Sequence, residues 1–291
     1  MHSLRSVFVC ALLGVSLAAC TGAVGGATGA DIASTAGSVG ILRVERSFDL
    51  DPALASRRAV LGAAFARYHG IDGADVAQLL GGGAALETEA CTTGVTAGDG
   101  LGAPDAEVEL LDVGPIDVRL GAAGATLEPR TFPELGSVAT GVFYAGDGAI
   151  AGPTDDGAID YVFRAAGSAD VAAFEVAVAP PGDLTDVRVD GAAPELRPTV
   201  SRGRGLELVW TAGDIRDRVE IELRAGGDTV VCAARDDGAF HVDAALAQTL
   251  GVTPDARIVV RRVRVQGFDA PGVDSAWLRV STERAFGVAI E

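Results

Sequence analysis

Few residues in this chain have the type and spacing that chemistry needs. After His2 the only histidines are His69 and His241, so a histidine-rich zinc site is not expected, and no H-E-x-x-H pair occurs. Lysine is absent throughout, which excludes the phosphate-loop lysine, the S-x-x-K nucleophile and any Schiff-base lysine. No G-x-S-x-G elbow is present either. Carboxylates are plentiful. Asp155-Asp156-Gly157 and Asp236-Asp237-Gly238 fall between strand candidates, where carboxylates and turn carbonyls could offer calcium its hard oxygen ligands. Neither has the alternating spacing of an EF-hand loop, and Asp and Gly are also plain turn formers, which is the favoured reading. A glycosidase pair of carboxylates depends on a separation that only a fold supplies. His241 alternates with Phe240 and Val242 and is expected on the wet face of a strand. Arg67-Tyr68-His69 is polar enough to line a pocket, with Tyr68 better read as core filling whose hydroxyl reaches the surface. Arg261, Arg262 and Arg264 form a basic cluster, expected to pair with acids across a sheet. Its sharper reading is a docking patch for an anionic partner. No cofactor is implied, and no catalytic residue is assigned.

The N-terminus carries the strongest pattern. Arg5 sits in a short polar start, and Val7 to Ala19 is apolar apart from Gly14 and Ser16, as a secretory signal requires. At 1.5 Å per residue that run is too short to cross a hydrocarbon core of about 30 Å, so it reads as an export signal rather than an anchor helix. Its end, Leu17-Ala18-Ala19-Cys20, resembles the lipobox of bacterial lipoproteins. The resemblance implies cleavage before Cys20, with acyl chains such as palmitate attached to the mature N-terminal cysteine. Two or three chains, at about 0.8 kcal/mol per buried methylene, make a stable anchor where one does not. Thr21 follows in place of the aspartate that marks inner-membrane retention, so the resemblance points to the outer membrane.

Composition fits an exported acidic globule. The formal net charge is −17, and loss of residues 1–19 removes Arg5 and no acid, so the mature chain is more acidic still. That field repels nucleic acid and anionic headgroups. The membrane partner is therefore reached through the acyl chains alone, and any protein or glycan partner at the envelope is not specified. With 48% apolar but only 5% aromatic residues, the core must be mainly aliphatic.

Export also sets the redox setting. With Cys10 lost in the signal and Cys20 acylated, Cys91 and Cys232 remain in an oxidising compartment. They either form a bridge tying distant parts of the body together, worth about 2–4 kcal/mol, or stay as two separate buried thiols.

These residues must be positioned by a mainly β body. Residues 20–40, rich in Gly, Ala, Ser and Thr, read as the lipidated cysteine and a flexible tether. From Ile41, Leu42, Val44 and Phe48 share one face, as a half-buried strand requires. Residues 57–80 break the pattern. Leu61, Phe65 and Tyr68 recur at helical spacing, though Val60–Tyr68 also suits a strand, and Asp72 to Gly81 reads as a short capped helix. Strands are expected at 107–111, 116–120, 138–144, 159–165 and 173–178. Pro180-Pro181-Gly182 then marks the preferred domain boundary, dividing an N-terminal unit (41–182) from a C-terminal one (183–291). In the second unit, strands are expected at 206–210, 219–224, 229–233, 239–242, 257–265, 277–280 and 286–290. A phase slip at Arg261-Arg262 suggests a bulge, and Asp243 is placed as the cap of a short helix through Leu246 and Leu250, closed by Gly251.

Seven short strands at this spacing, with Trp210 as an aromatic plug, resemble the immunoglobulin-like or fibronectin-like sandwich modules of bacterial surface lipoproteins over residues 184–291. The expected fold is therefore mainly β: two β-sandwich-like units with one or two short helices. The expected role is non-catalytic binding or structure at the cell envelope. A carboxylate-based glycan or peptide hydrolase and a calcium-stabilised adhesion module are the competing expectations.

Overall fold

The computed structural model describes residues 36–49, 57–83, 86–94, 106–131, 139–147 and 159–291. The signal segment, Cys20, most of the expected tether and the Asp155-Asp156 turn lie outside the described residues. The fold is mainly β, with two short helices.

The first half contributes β1 (Ala36–Asp49), β2 (Arg57–His69), α1 (Gly73–Leu79), β3 (Ala90–Thr93), β4 (Glu107–Leu110), β5 (Ile116–Leu120), β6 (Ala123–Leu127), β7 (Pro129–Thr131), β8 (Ala139–Asp147), β9 (Tyr161–Ala165) and β10 (Phe174–Val178). The second half adds β11 (Arg188–Val189), β12 (Thr199–Val200), β13 (Leu206–Val209), β14 (Asp217–Ala225), β15 (Asp228–Arg235), β16 (Ala239–Val242), α2 (Ala244–Ala247), β17 (Thr253–Gly267) and β18 (Ser275–Ile290). One eleven-stranded sheet runs β3-β15-β14-β17-β18-β1-β2-β4-β8-β7, with β12 added alongside β18. Two smaller sheets, β10-β9-β5-β6 and β11-β13-β16, cover it.

The expected boundary at 182/183 therefore divides the covering layers but not the large sheet. In that sheet β1 pairs in parallel with β18, from Val39 opposite Ser275 to Asp49 opposite Ala285. Two cores form on one face of this sheet and meet along β18. The first joins Leu42, Val44, Leu278 and Val280 to Ile116, Val118, Phe163 and Val176 of the four-stranded sheet. The second joins Ile221, Ile258, Val260 and Val288 to Leu206, Leu208 and Val242 of the three-stranded sheet, with Trp210 buried among them. A smaller cluster on the opposite face packs Val39, Ile41 and Tyr68 against Val76 of α1.

Between the two cores the same face turns polar. Along β17, Ile258 and Val260 are followed at alternate positions by Arg262 and Arg264, all buried. Along β18, Thr282 and Arg284 separate Val280 from Phe286. Arg262 donates to the carbonyl of Asp183 at 2.8 Å, and Arg264 to that of Ala179 at 3.1 Å. Arg46 reaches the Asp183 carboxylate at 2.9 Å, and Gln266 donates to Ala177 O at 3.0 Å. The Pro180-Pro181-Gly182 linker is thus strapped to the sheet as it passes from one covering layer to the other.

This belt corrects the expected bulge at Arg261-Arg262. Register between β17 and β18 is continuous from Ala256 to Gly267, and the irregularity lies between Thr253 and Ala256. Both faces of β17 are buried here, with Val259 and Val263 on one and Arg262 and Arg264 on the other. The apolar alternation fails because arginines occupy inward positions, not because an extra residue intervenes.

Three further expectations change. Ala36–Gly40 belong to β1 rather than to the tether. Their glycines are small because β2 side chains lie across them: a Cβ on Gly40 would meet the Phe65 ring at 2.5 Å, and one on Gly37 the Tyr68 hydroxyl at 2.9 Å. Residues 57–69 resolve as a strand, with alanines between Leu61 and Phe65 filling the same face. The two expected strands 277–280 and 286–290 are one, β18. The helix at 73–79 does form, capped by Asp72, whose carboxylate accepts from Ala74 N at 2.8 Å.

Candidate functional site

The second core closes on one side with two strand edges that have no neighbouring strand among the described residues. β16 ends the three-stranded sheet and β3 ends the large one. In β16, Trp210 N donates to Gly238 O at 2.9 Å, and Leu208 stands opposite Phe240 and Leu206 opposite Val242 in the same register. By the alternation of an antiparallel ladder, Phe240 and Val242 spend their main-chain groups on β13. Those of Ala239 and His241 face outward. Asp237 Oδ1 lies 3.5 Å from the Ala239 N–H, which leaves the Ala239 carbonyl and both groups of His241 on the free edge.

The same reasoning applies to β3. Gly94 N donates to Thr229 O at 3.0 Å, so Thr92 shares the ladder with Val231, and Cys91 and Thr93 point their main-chain groups away. Cys91 stands opposite Cys232, and the two are disulfide-bonded with Cα atoms 4.0 Å apart. The bridge lies at a non-hydrogen-bonded pair, where facing Cα atoms approach closest. It staples a four-residue edge strand to β15 across 141 residues of chain.

Between these edges lies a cleft of about 720 Å³ lined by Glu89, Cys91, Glu207, Phe240, His241, Asp243 and Leu246, together with Ala239. Phe240 and Leu246 pack on the second core and form an apolar floor. Glu207 stands directly opposite His241 on β13, and both are exposed, as expected for His241. Glu89 spends one carboxylate oxygen on Arg235 N at 2.8 Å. Asp243 was expected to cap α2 through its side chain, but the helix is a single turn held by Ala247 N on Asp243 O, and the carboxylate makes no cap bond. Among the described residues no arginine lines the cleft.

A second cleft, of about 480 Å³, opens at the start of β1 and gathers Arg67, Tyr68 and His69, as the sequence suggested, with Ser38, Glu107, Glu109 and Asp274. Its groups are largely spent on one another. Arg67 pairs with Glu109 at 2.7 Å. Asp274 Oδ2 accepts from Ser38 N at 2.8 Å and from Ser38 Oγ at 2.9 Å, while Ser38 Oγ accepts from Asp274 N. Serine, histidine and aspartate share this cleft, but the aspartate holds the serine hydroxyl rather than orienting an imidazole, which is not the order of a nucleophilic triad. Burial, reinforced by Asp274 and Asp72, pushes the Tyr68 hydroxyl above its ordinary range.

The remaining sequence candidates have structural partners. Asp236 is buried, its Oδ1 accepting from Trp210 Nε1 at 2.8 Å and from Arg262 at 3.0 Å, with Arg262 Nε close to Oδ2 at 2.6 Å. Its carboxylate neutralises an arginine instead of facing a calcium site, and Asp237 lies beside the Ala239 N–H. No group of three or more ligating side chains occurs among the described residues. The basic cluster pairs with acids: Arg261 with Glu222 at 2.9 Å and Glu283 at 2.7 Å, Arg264 with Asp217 through two bonds at 2.7 and 3.0 Å. Glu89 and Glu207 were not singled out in the sequence, and Asp243 was named only as a helix cap. Glu207 meets His241 only through the β13–β16 register, and Glu89 reaches the cleft only because β3 crosses to the second core.

No protein-family model and no curated protein matches this chain.

Proposed function

We propose that this chain is a lipid-anchored, non-catalytic binding module of the cell envelope, displayed from the outer membrane, with the cleft between β3 and β16 as its ligand surface. The anchor rests on the lipobox resemblance of Leu17-Ala18-Ala19-Cys20 behind an apolar export segment. The observation that carries the binding role is the pair of strand edges, unpaired among the described residues, that flank one cleft, with outward main-chain groups at Ala239, His241, Cys91 and Thr93. An open edge beside an apolar floor is the arrangement that strand-adding recognition uses. Beside it, the second cleft offers side chains already bonded to one another.

Intact mass of membrane-extracted protein tests the anchor. The expected mass is the chain from Cys20 plus acyl chains, with a Cys20→Ser form recovered outside the membrane fraction. An unacylated mass, or a Cys20→Ser form that stays membrane-bound, would remove the anchor.

A further inference from the structure

We propose that the β3–β16 cleft takes an extended, cationic polypeptide segment, added as a strand to the free edge of β16. The inference rests on the binding role proposed above and specifies its ligand. Three observations converge. The outward N–H and C=O of His241 and the outward C=O of Ala239 form a donor–acceptor row that only another extended backbone matches along its length. Side chains of an added strand alternate, so one set would lie on Phe240 and Leu246 while the other meets the rim. That rim carries Glu89, Glu207 and Asp243 and no arginine, in a protein of formal net charge −17. Apolar residues alternating with lysine or arginine complement both the floor and the rim. A second copy of this chain would bring its own strongly negative charge to the same edge, which disfavours self-pairing.

Edge strands in monomeric proteins are commonly blunted by lysine, proline or a covering element. β16 has no lysine or proline and no covering element among the described residues, and Ala239 and His241 are exposed. The short β3 is kept in place across the cleft by the disulfide.

The test uses the full acylated chain in detergent, titrated with a short peptide alternating valine and lysine. The controls are the valine–glutamate counterpart and the lysine peptide N-methylated at alternate residues. Binding is followed by calorimetry and by hydrogen exchange at the His241 amide. The lysine peptide should bind and protect the His241 N–H, and the glutamate peptide should bind at least about tenfold more weakly. N-methylation along the pairing edge should abolish protection. Glu207→Gln and Asp243→Asn, both exposed and distant from core packing, should each weaken the lysine peptide about two- to fivefold, the range of exposed ion pairs. Equal binding of both peptides with His241 protected would overturn the cationic ligand and keep the cleft as the binding surface. Absence of protection by every peptide would overturn both. Protection that rises with protein concentration alone would assign the edge to a second copy and overturn the proposal.

Discussion

The two cores share one face of β18, yet they are closed differently. The first is sealed by a single phenol: Tyr144, fully buried, accepts from Val113 N at 2.8 Å and donates to Asp112 at 2.7 Å. Burial, with the Asp112 contact, pushes that phenol well above its ordinary range, so it stays a neutral donor. The second, plugged by Trp210, is sealed by an ion pair and a covalent bond, Arg262–Asp236 beneath the indole and Cys91–Cys232 at the edge. A mainly aliphatic interior with few aromatic rings is held in register by a small number of strong, directional links. Those links lie where the cores meet each other or meet solvent.

That contrast makes Arg262 the residue whose loss should matter most. Its guanidinium touches Asp236, the Asp183 carbonyl and the Thr211 carbonyl, so it joins the second core to the linker. Arg262→Met strands a buried carboxylate and should cost about 3–5 kcal/mol, read from urea unfolding. Adding Asp236→Leu should recover most of that loss, since an apolar pair avoids the desolvation that the ion pair must offset. A double variant no more stable than the single one would show that the linker contacts, not the charge, are what Arg262 supplies.

The disulfide comes next. Cys91→Ser with Cys232→Ser should cost about 2–4 kcal/mol, and exchange should quicken first in β3 and β15 while first-core amides keep their protection. Tyr144→Phe should do the converse. It leaves the Val113 N–H without its acceptor while Asp112 keeps the Gly114 N–H, a loss of about 1–3 kcal/mol, with faster exchange confined to the first core. Spread of either effect across both cores would mean that the shared strand couples them more tightly than the belt between them implies.

The sequence made some of this legible and hid the rest for specific reasons. Strands that alternate charged with apolar residues, such as Val219 to Arg224, show their pattern openly, and β16 begins and ends as expected. β17 and β18 are buried on both faces through their middle, so their pattern misleads about bulges and breaks one strand into two. The glycines of β1 imitate a tether because their reason for being small sits on β2. Cys91 and Cys232 were recognisable as a possible pair, and His241 as solvent-facing. The cleft they share depends on β3, a strand from the first half paired to the second, and no local pattern announces a crossing of that kind.

The smallest expected effect separates the two faces of the large sheet by pH. On the outer face Glu220 is buried, which alone would raise its carboxyl, but Arg279, Arg218 and Arg261 overcome that and hold it below the usual glutamate range. A carboxyl depressed in the folded state contributes stability above its unfolded value, about 4.3, and loses it as pH falls through the lower folded value. On the belt, Asp217 is shifted the other way: burial raises it despite its two bonds to Arg264. Its contribution is complete below its unfolded value, about 3.9, and is lost as pH climbs through the raised one. Glu220→Gln should therefore flatten the acid limb of a stability–pH curve, and Asp217→Asn should flatten the rise in destabilisation above it. Slopes that change in the same sense in both variants would mean that the belt arginines act on Asp217 as fully as the outer ones act on Glu220. The polar strip between the cores would then be no more desolvated than the charged outer face.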